Sequence, residues 1–317
     1  MHQREELAVS SGTKSFKIFL DMAENSLLLL SRNPSIINPS TETQKALDEF
    51  ALDWAETPIL GAARFDKDGN FRFMGNNVGE SGEIYESLIG DVSSRDYFVW
   101  AETATEGDVY LGKPLMPKVK SPNLQFIFPF ITPIYKSGDF DGILVLAISL
   151  PKLTAAYLDP LEVSPNCRVY LMHPDGTILA GSSEYAELIQ FNYFEYLRDN
   201  PYPGSEAALQ GLTQAVESEN EGRLDVILYS PIEKGLVRFI IAYSPVIYGN
   251  EHWTLGLAVP ITNINNDFDP LRETSIMLFS SAVLFILTLS AMGILLARAN
   301  QRKAYLEGLE DGKRSKS

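Results

Sequence analysis

Residues 61–75, GAARFDKDGNFRFMG, consist of two short apolar runs on either side of the polar sequence DKDG. Residues 168–181, RVYLMHPDGTILAG, repeat this arrangement around HPDG. An Asp-Gly pair between two runs of strand-forming residues predicts a β-hairpin, because glycine adopts the positive φ that such a turn requires. The sequence therefore predicts two hairpins, whose turn residues Asp68 and Asp175 are 107 positions apart.

Other segments recur at nearly the same interval and in the same order. The matches are PIY at 133–135 with PVIY at 245–248, LAI at 146–148 with LAV at 257–259, and, less regularly, YF at 97–98 with YF at 193–194. Together with the two hairpins, these make four matches in the same order, which predict a duplicated module of about 110 residues. Each copy reads as strands joined by a helical connection, which predicts an α+β fold built from antiparallel sheets with helices packed against them.

The segment before the first hairpin has helical periodicity. Between residues 5 and 32, apolar residues recur at three- and four-residue steps, which predicts one long amphipathic helix that ends at Asn33-Pro34. A second helix is expected after Pro39, with Thr41 and Gln44 spaced as a capping box. The positions predicted to be buried on the long helix are Val9, Phe16, Phe19, Leu20, Ala23, Leu27 and Leu30.

Near the other end of the chain, residues 275–297, SIMLFSSAVLFILTLSAMGILLA, contain no charged residue. A helix of this length reaches about 34 Å, which is enough to cross a hydrocarbon core of about 30 Å. Basic residues follow it, so we expect the tail to be cytoplasmic and the rest of the chain to be extracytoplasmic. Because no signal peptide opens the sequence, we expect a further membrane helix upstream.

Charge and composition exclude several classes of function. The net charge is −15, and such a surface repels nucleic acid and anionic lipid, so neither is an expected partner. Cys167 is the only cysteine, which excludes an intrachain disulfide and suits a bacterial envelope. The His and Cys residues lack metal-ligand spacing, and no nucleophile motif is present. We therefore expect no metal, no cofactor and no catalytic residue.

Five segments, in this order and spacing, make the chain resemble a known family. They are SRDYFVWA at 94–101, VYLGKP at 109–114, TPI at 132–134, GILVLAISL at 142–150 and HPDG at 173–176. In these segments the chain resembles the double Cache sensor domains of bacterial receptors, over about residues 5–297. The resemblance implies a long N-terminal helix that carries two tandem, PAS-like antiparallel-sheet modules, followed by one transmembrane helix.

On this basis the chain is divided into six predicted parts. They are a helical stalk at 1–56, a membrane-distal module at 57–150, a linker at 151–165, a membrane-proximal module at 166–266, the transmembrane helix at 275–297 and a cytoplasmic tail at 298–317.

Arg95 is the strongest candidate for a ligand-binding residue. It precedes Tyr97 and Phe98, and a guanidinium among aromatic rings presents a planar fork that matches a carboxylate. The alternative is an arginine paired with Asp96 or Asp91 at a helix edge. The resemblance implies the ligand role, because double Cache modules bind ligand in the membrane-distal copy with an arginine at this place. We expect the pocket to be formed by Arg95, Tyr97, Phe98, Tyr110 and Phe128, with Lys113 as a second cation.

Two further positions bear on the chemistry of the expected ligand and on the number of ligand sites. Ala147 stands near the place where amino-acid-binding members of the family carry an aspartate for the ligand ammonium, so the resemblance implies a small organic acid without an amine. Phe191 of the second module stands where the first module has Arg95. We therefore expect one ligand site per chain, in the first module.

These observations predict the extracytoplasmic sensing region of a receptor in the bacterial inner membrane, dimeric in its full-length form and not itself an enzyme. Its output is expected to be that of a histidine kinase, a chemoreceptor or a cyclic-dinucleotide enzyme. A membrane-tethered envelope hydrolase and a non-catalytic envelope assembly subunit are the alternatives. The first requires a nucleophile or metal in a cleft, and the second requires a large exposed apolar patch.

Overall fold

The computed structural model describes residues 2–76, 90–117, 125–163, 167–230, 235–249 and 251–261. The predicted transmembrane helix at 275–297 and the tail lie outside these residues. In the part of the chain that is described, no helix combines the length and the apolar character needed to cross a membrane.

The long N-terminal helix is present as α1 (His2–Ser31), which packs against strands of both sheets. All seven positions that the sequence predicts to be buried are at most 7% exposed. The apolar stripe is therefore confirmed. This apolar stripe packs against both halves of the domain, because the single helix α1 covers both sheets.

The short helix α2 (Pro34–Ile37) and the helix α3 (Thr41–Asp53) follow. The predicted capping box is wrong by one position. Ser40 is the N-cap, its Oγ accepts from the N–H of Glu42, and Thr43 Oγ1 accepts from the N–H of Ser40. Gln44 is unavailable for capping because its side-chain amide donates to the carbonyl of Met74.

The first sheet consists of β1 (Ile59–Asp66), β2 (Phe71–Asn76), β3 (Tyr110–Leu111), β4 (Ile127–Lys136) and β5 (Asp139–Ser149). Its order is β2-β1-β5-β4-β3, and every pair is antiparallel. The helix α4 (Asp96–Ala101) lies between β2 and β3 in sequence.

The helix α5 (Leu150–Tyr157) leads to the second sheet. This sheet consists of β6 (Arg168–Met172), β7 (Ile178–Gly181), β8 (Gly222–Ser230), β9 (Gly235–Tyr248) and β10 (Glu251–Pro260), with α6 (Tyr193–Asp199) and α7 (Ser205–Glu217) between β7 and β8. Its order, β7-β6-β10-β9-β8, is that of the first sheet with each strand replaced by its counterpart. The α+β class and the repeated sheet topology are confirmed. We call the two halves the first and second modules.

Both predicted hairpin turns are present, and glycine is required in each. Gly69 has a φ of +81° and Gly176 a φ of +90°. A side chain at Gly69 would also lie 2.6 Å from the backbone nitrogen of Ser93, and one at Gly176 would lie 2.3 Å from the ring of Phe194. Each turn therefore packs tightly against the connection that follows it.

Arg64 on β1 links three elements of the first module from a buried position, with 1% of its side chain exposed. Its Nε donates to the carbonyl of Ile36 on α2, and one terminal nitrogen donates to the carboxylate of Asp141 on β5 at 2.7 Å. Another donates to the carbonyl of Phe65. Burial lowers the pKa of Arg64, and the charge of Asp141 acts in the opposite direction.

Replacing Arg64 with methionine should lower the free energy of unfolding by about 2–4 kcal/mol, because it leaves buried acceptors without a donor. Arg72→Met is the matched control. Arg72 lies on the neighbouring strand and also pairs with an aspartate, Asp66, but its side chain is 57% exposed, so we expect a loss of about 1 kcal/mol or less. Urea unfolding of both variants measures the difference. Equal losses would contradict the structural role of Arg64.

Candidate ligand-binding site

Arg95 occupies the N-cap position of α4, with extended backbone angles of φ −79° and ψ 143°. The helix that follows buries Tyr97, Phe98 and Ala101 against the first sheet. The side chain of Arg95 is half-buried, and its Nε is fully buried. Within the described residues, no atom accepts a hydrogen bond from this Nε. A buried N–H group without an acceptor costs about 1–3 kcal/mol, so this group is suited to a ligand acceptor.

Asp96 is one of the two acids that the alternative interpretation pairs with Arg95. In the structure its carboxylate makes other contacts. One carboxylate oxygen of Asp96 accepts from the backbone N–H of Tyr97 at 2.9 Å. The other accepts from the hydroxyl of Tyr110 at 3.4 Å. Asp96 therefore ties the first turn of α4 to β3.

Aromatic rings pack along α4. Tyr110, on the edge strand β3 opposite Ile131, has its ring 5.2 Å from that of Trp100 on α4. Phe98 has an edge contact with Phe140, with 5.9 Å between ring centroids. Tyr97, Phe98 and Tyr110, which the sequence predicts as site residues, thus lie in one apolar cluster, and Arg95 is close enough to Tyr97 for its charge to act on the pKa of that phenol.

Both phenols of this cluster are neutral at physiological pH. Burial raises the pKa of Tyr97 to about 12, and the nearby charge of Arg95 acts in the opposite direction. Burial raises the pKa of Tyr110 to about 12, and the charges of Asp96 and Glu251 add to this. The group therefore holds the positive charge of Arg95, the carboxylate of Asp96, which already accepts from Tyr110, and the neutral hydroxyl of Tyr97.

The structure does not bring Phe128 to this cluster. Side chains on a strand alternate between faces, and Ile131 packs with Tyr97 and Phe98, so Phe128 points to the opposite face of β4. There its ring stacks on Trp253 of the second sheet, with 5.6 Å between centroids. Phe128 belongs to the contact between the modules.

Lys113 is also at the contact between the modules. Its Nζ lies 3.2 Å from a carboxylate oxygen of Asp175, in the hairpin turn of the second module, and more than half of its side chain is exposed. The neighbouring carbonyl of Pro114 accepts a hydrogen bond from the side chain of Gln190 at 2.8 Å. The residues after β3 thus attach the first module to the second.

Sequence reasoning missed several residues that pack against the aromatic cluster. They are Met74 on β2, Leu115 and Phe140. No motif contains them, because they come from separate strands and loops that only the fold brings together. Within the described residues, no group of three or more His, Cys, Asp or Glu side chains is placed to hold a metal ion.

No family model matches the chain, and no curated protein matches it. Solved structures do match. The ligand-binding domain of the Pseudomonas fluorescens chemoreceptor CtaA, in complex with L-alanine, is 18% identical, with a TM-score of 0.55 over 80% of this chain and 95% of that one. The ligand-binding domain of the Pseudomonas aeruginosa amino acid chemoreceptor PctC, in complex with GABA, is 13% identical, with a TM-score of 0.54 over 80% and 97%.

A third match comes from another class of receptor. The extracellular domain of the putative histidine kinase vpHK1S-Z8 is 14% identical, with a TM-score of 0.58 over 85% of this chain and 97% of that domain. Together with the repeated sheet topology and the shared α1, these matches show that the chain has the fold of receptor ligand-binding domains of the double Cache type, as the resemblance in sequence predicts.

Proposed function

We propose that this chain is the extracytoplasmic sensing region of a bacterial transmembrane receptor and that its first module binds a small carboxylate through Arg95. The buried Nε of Arg95, which has no acceptor among the described residues and lies beside aromatic rings, carries the proposal. A carboxylate supplies two acceptor oxygens in the plane of a guanidinium, so it satisfies this nitrogen and one terminal nitrogen together. The match to ligand-binding domains of chemoreceptors supports a binding role.

The surroundings of Ala147 favour a carboxylate without an amine. The ligands in the matching chemoreceptor structures, L-alanine and GABA, each carry a carboxylate and an ammonium group. In this chain Ala147 lies opposite Gly61 and Pro129 on the neighbouring strands, and none of the three offers a charge to an ammonium group. A small organic acid with an apolar or hydroxylated body therefore fits this module better than an amino acid does.

The proposed receptor is a homodimer anchored in the membrane by the helix at 275–297. Three large apolar residues on α1 point into solvent, Leu7, Ile18 and Leu29, each about 70% exposed. They are 11 residues apart, which is close to three helical turns, so they lie on one face. We assign this face to contact with the α1 helix of a second copy. A neighbouring membrane helix would raise the local concentration of the pair.

Arg95→Ala should weaken binding of the carboxylate by about tenfold to a hundredfold, because a charge-assisted hydrogen bond contributes about 1.5–3 kcal/mol. Arg95→Lys should recover little, since a point charge does not reproduce the planar fork. A thermal-shift screen of small organic acids finds the ligand, and calorimetry measures the affinities. Arg72→Ala, an exposed arginine of the same sheet, is the control. Unchanged affinity in a folded Arg95→Ala variant would place the site elsewhere.

Ile18→Cys in the full-length protein should give a disulfide-linked dimer under mild oxidation, because the proposed α1 faces bring the two copies of this position together. Leu52→Cys on α3 is the control, since it is equally exposed but lies outside the α1 face. Cys167 is buried and does not interfere. Nonreducing gels report the crosslink. Equal crosslinking at both positions, or none at Ile18, would argue against the α1 dimer.

A further inference from the structure

The segment from Tyr110 to Leu115 contributes two side chains to the candidate ligand site. Tyr110 and Leu115 both pack against the cluster that α4 forms with the first sheet. The pairing of this segment with the sheet is short. Only Tyr110 and Leu111 form β3, at the edge of the sheet, and Leu115 makes a separate bridge to Ile127 on β4. Contacts outside the sheet therefore matter for the position of the segment.

The middle of this segment contacts the second module. The carbonyl of Pro114 accepts a hydrogen bond from Nε2 of Gln190 at 2.8 Å. Nζ of Lys113 lies 3.2 Å from Oδ2 of Asp175, in the hairpin turn that follows β6. The segment thus lies between the two modules, since its ends pack on the first and its middle is bound to the second.

Gln190 has a backbone conformation that a glutamine does not favour. Its φ is +67°, and among the described residues one other non-glycine residue, Ser137, has a positive φ. Glycine adopts this left-handed region readily, whereas a longer side chain has a conformational cost there. The N–H of Gln190 donates to the carbonyl of Ile178 on β7 at 2.8 Å, which holds the residue in this turn. Strained residues of this kind are typical of positions with a functional role, and here the side chain reaches the other module.

Asp175 is also held within its own module. Its Oδ1 accepts from the N–H of Thr177 at 2.8 Å, and its carbonyl accepts from the side chain of Asn192 at 3.1 Å. About half of each side chain in its ion pair with Lys113 is exposed, and ion pairs of this kind contribute little. The hydrogen bond from Gln190 is therefore the main polar link to the segment.

Tyr110 connects the segment to the start of α4. Its hydroxyl donates to Asp96 at 3.4 Å, and its ring lies 5.2 Å from that of Trp100. Asp96 directly follows Arg95 and accepts from the N–H of Tyr97 in the first turn of the helix. A displacement of the segment would therefore act on the turn of which Arg95 is the N-cap.

We propose that Gln190 of the second module is a positioning residue for the ligand site of the first module. Its amide holds the segment from Tyr110 to Leu115 against α4, and the ion pair of Lys113 with Asp175 assists. The role in binding rests on the proposed function of Arg95, whereas the positioning itself is measurable without a ligand. Coupling between two sites is reciprocal, so a ligand that fixes this segment also stabilises its contact with the second module.

The test follows the indole N–H signals of the ligand-free, full-length protein by nitrogen-15 NMR. The chain has three tryptophans. Trp100 reports on the ring of Tyr110, Trp253 reports on the stacking contact with Phe128, and Trp54 at the end of α3 is the reference. Gln190→Gly should shift the Trp100 signal and leave the other two in place.

Hydrogen exchange gives a second readout of the same variant. The N–H of Leu115 donates to the carbonyl of Ile127 at 3.0 Å. Loss of the hydrogen bond from Gln190 should accelerate the exchange of this N–H by about twofold to tenfold. Gln190→Glu keeps the length of the side chain but cannot donate to a carbonyl, so it should have the same two effects.

Ser137→Gly is the matched control. It also replaces a residue of positive φ by glycine, but it lies in the turn between β4 and β5. An unchanged Trp100 signal in both Gln190 variants, or an equal shift in Ser137→Gly, would overturn the proposal. Because no ligand is present, such a failure would leave the carboxylate site at Arg95 standing, and unchanged carboxylate affinity in Arg95→Ala would leave the positioning by Gln190 standing.

Discussion

The domain depends on one constraint, which is that each antiparallel sheet has two apolar faces to cover. One face of the first sheet packs on the cluster around α4, and one face of the second packs on α6 and α7. The remaining faces are covered by α1, by α3 on the first sheet, and by contact between the modules, as in the stacked rings of Phe128 and Trp253. Because one stripe of α1 serves both sheets, neither module buries its core independently of that helix.

This constraint also determines where ligands can bind. The face toward α1 is closed by large side chains that are almost completely buried. The opposite face is covered by connections between strands, and these vary between the two copies while the order of the strands does not. Arg95, at the start of α4, lies on that variable side.

The sequence was sufficient for the features that depend on local pattern. The α1 stripe, the two Asp-Gly turns and the repeated order of strands follow from periodicity, turn chemistry and internal repetition, and the structure contains all of them. The cluster of Arg95, Tyr97 and Phe98 was also accessible, because these residues are neighbours on one short helix.

The sequence did not reveal contacts that depend on which face of a strand a side chain lies on or on how the two modules are placed. β4 is buried on both faces along most of its length, so it has no polar alternation to show where Phe128 points. Lys113 follows an edge strand, and only the placement of the second module gives it Asp175 as a partner.

The central claim is that the Nε–H group of Arg95 donates a hydrogen bond to a ligand carboxylate. This N–H group can be observed directly. Nitrogen-15 NMR of arginine side chains resolves individual Nε–H groups, which Arg95→Lys assigns by the loss of one signal. Addition of the carboxylate ligand should move the Arg95 signal to the position of a strongly hydrogen-bonded donor, and the corresponding amide should move it much less. An Arg95 signal that stays in place while the protein is saturated with ligand would contradict the account.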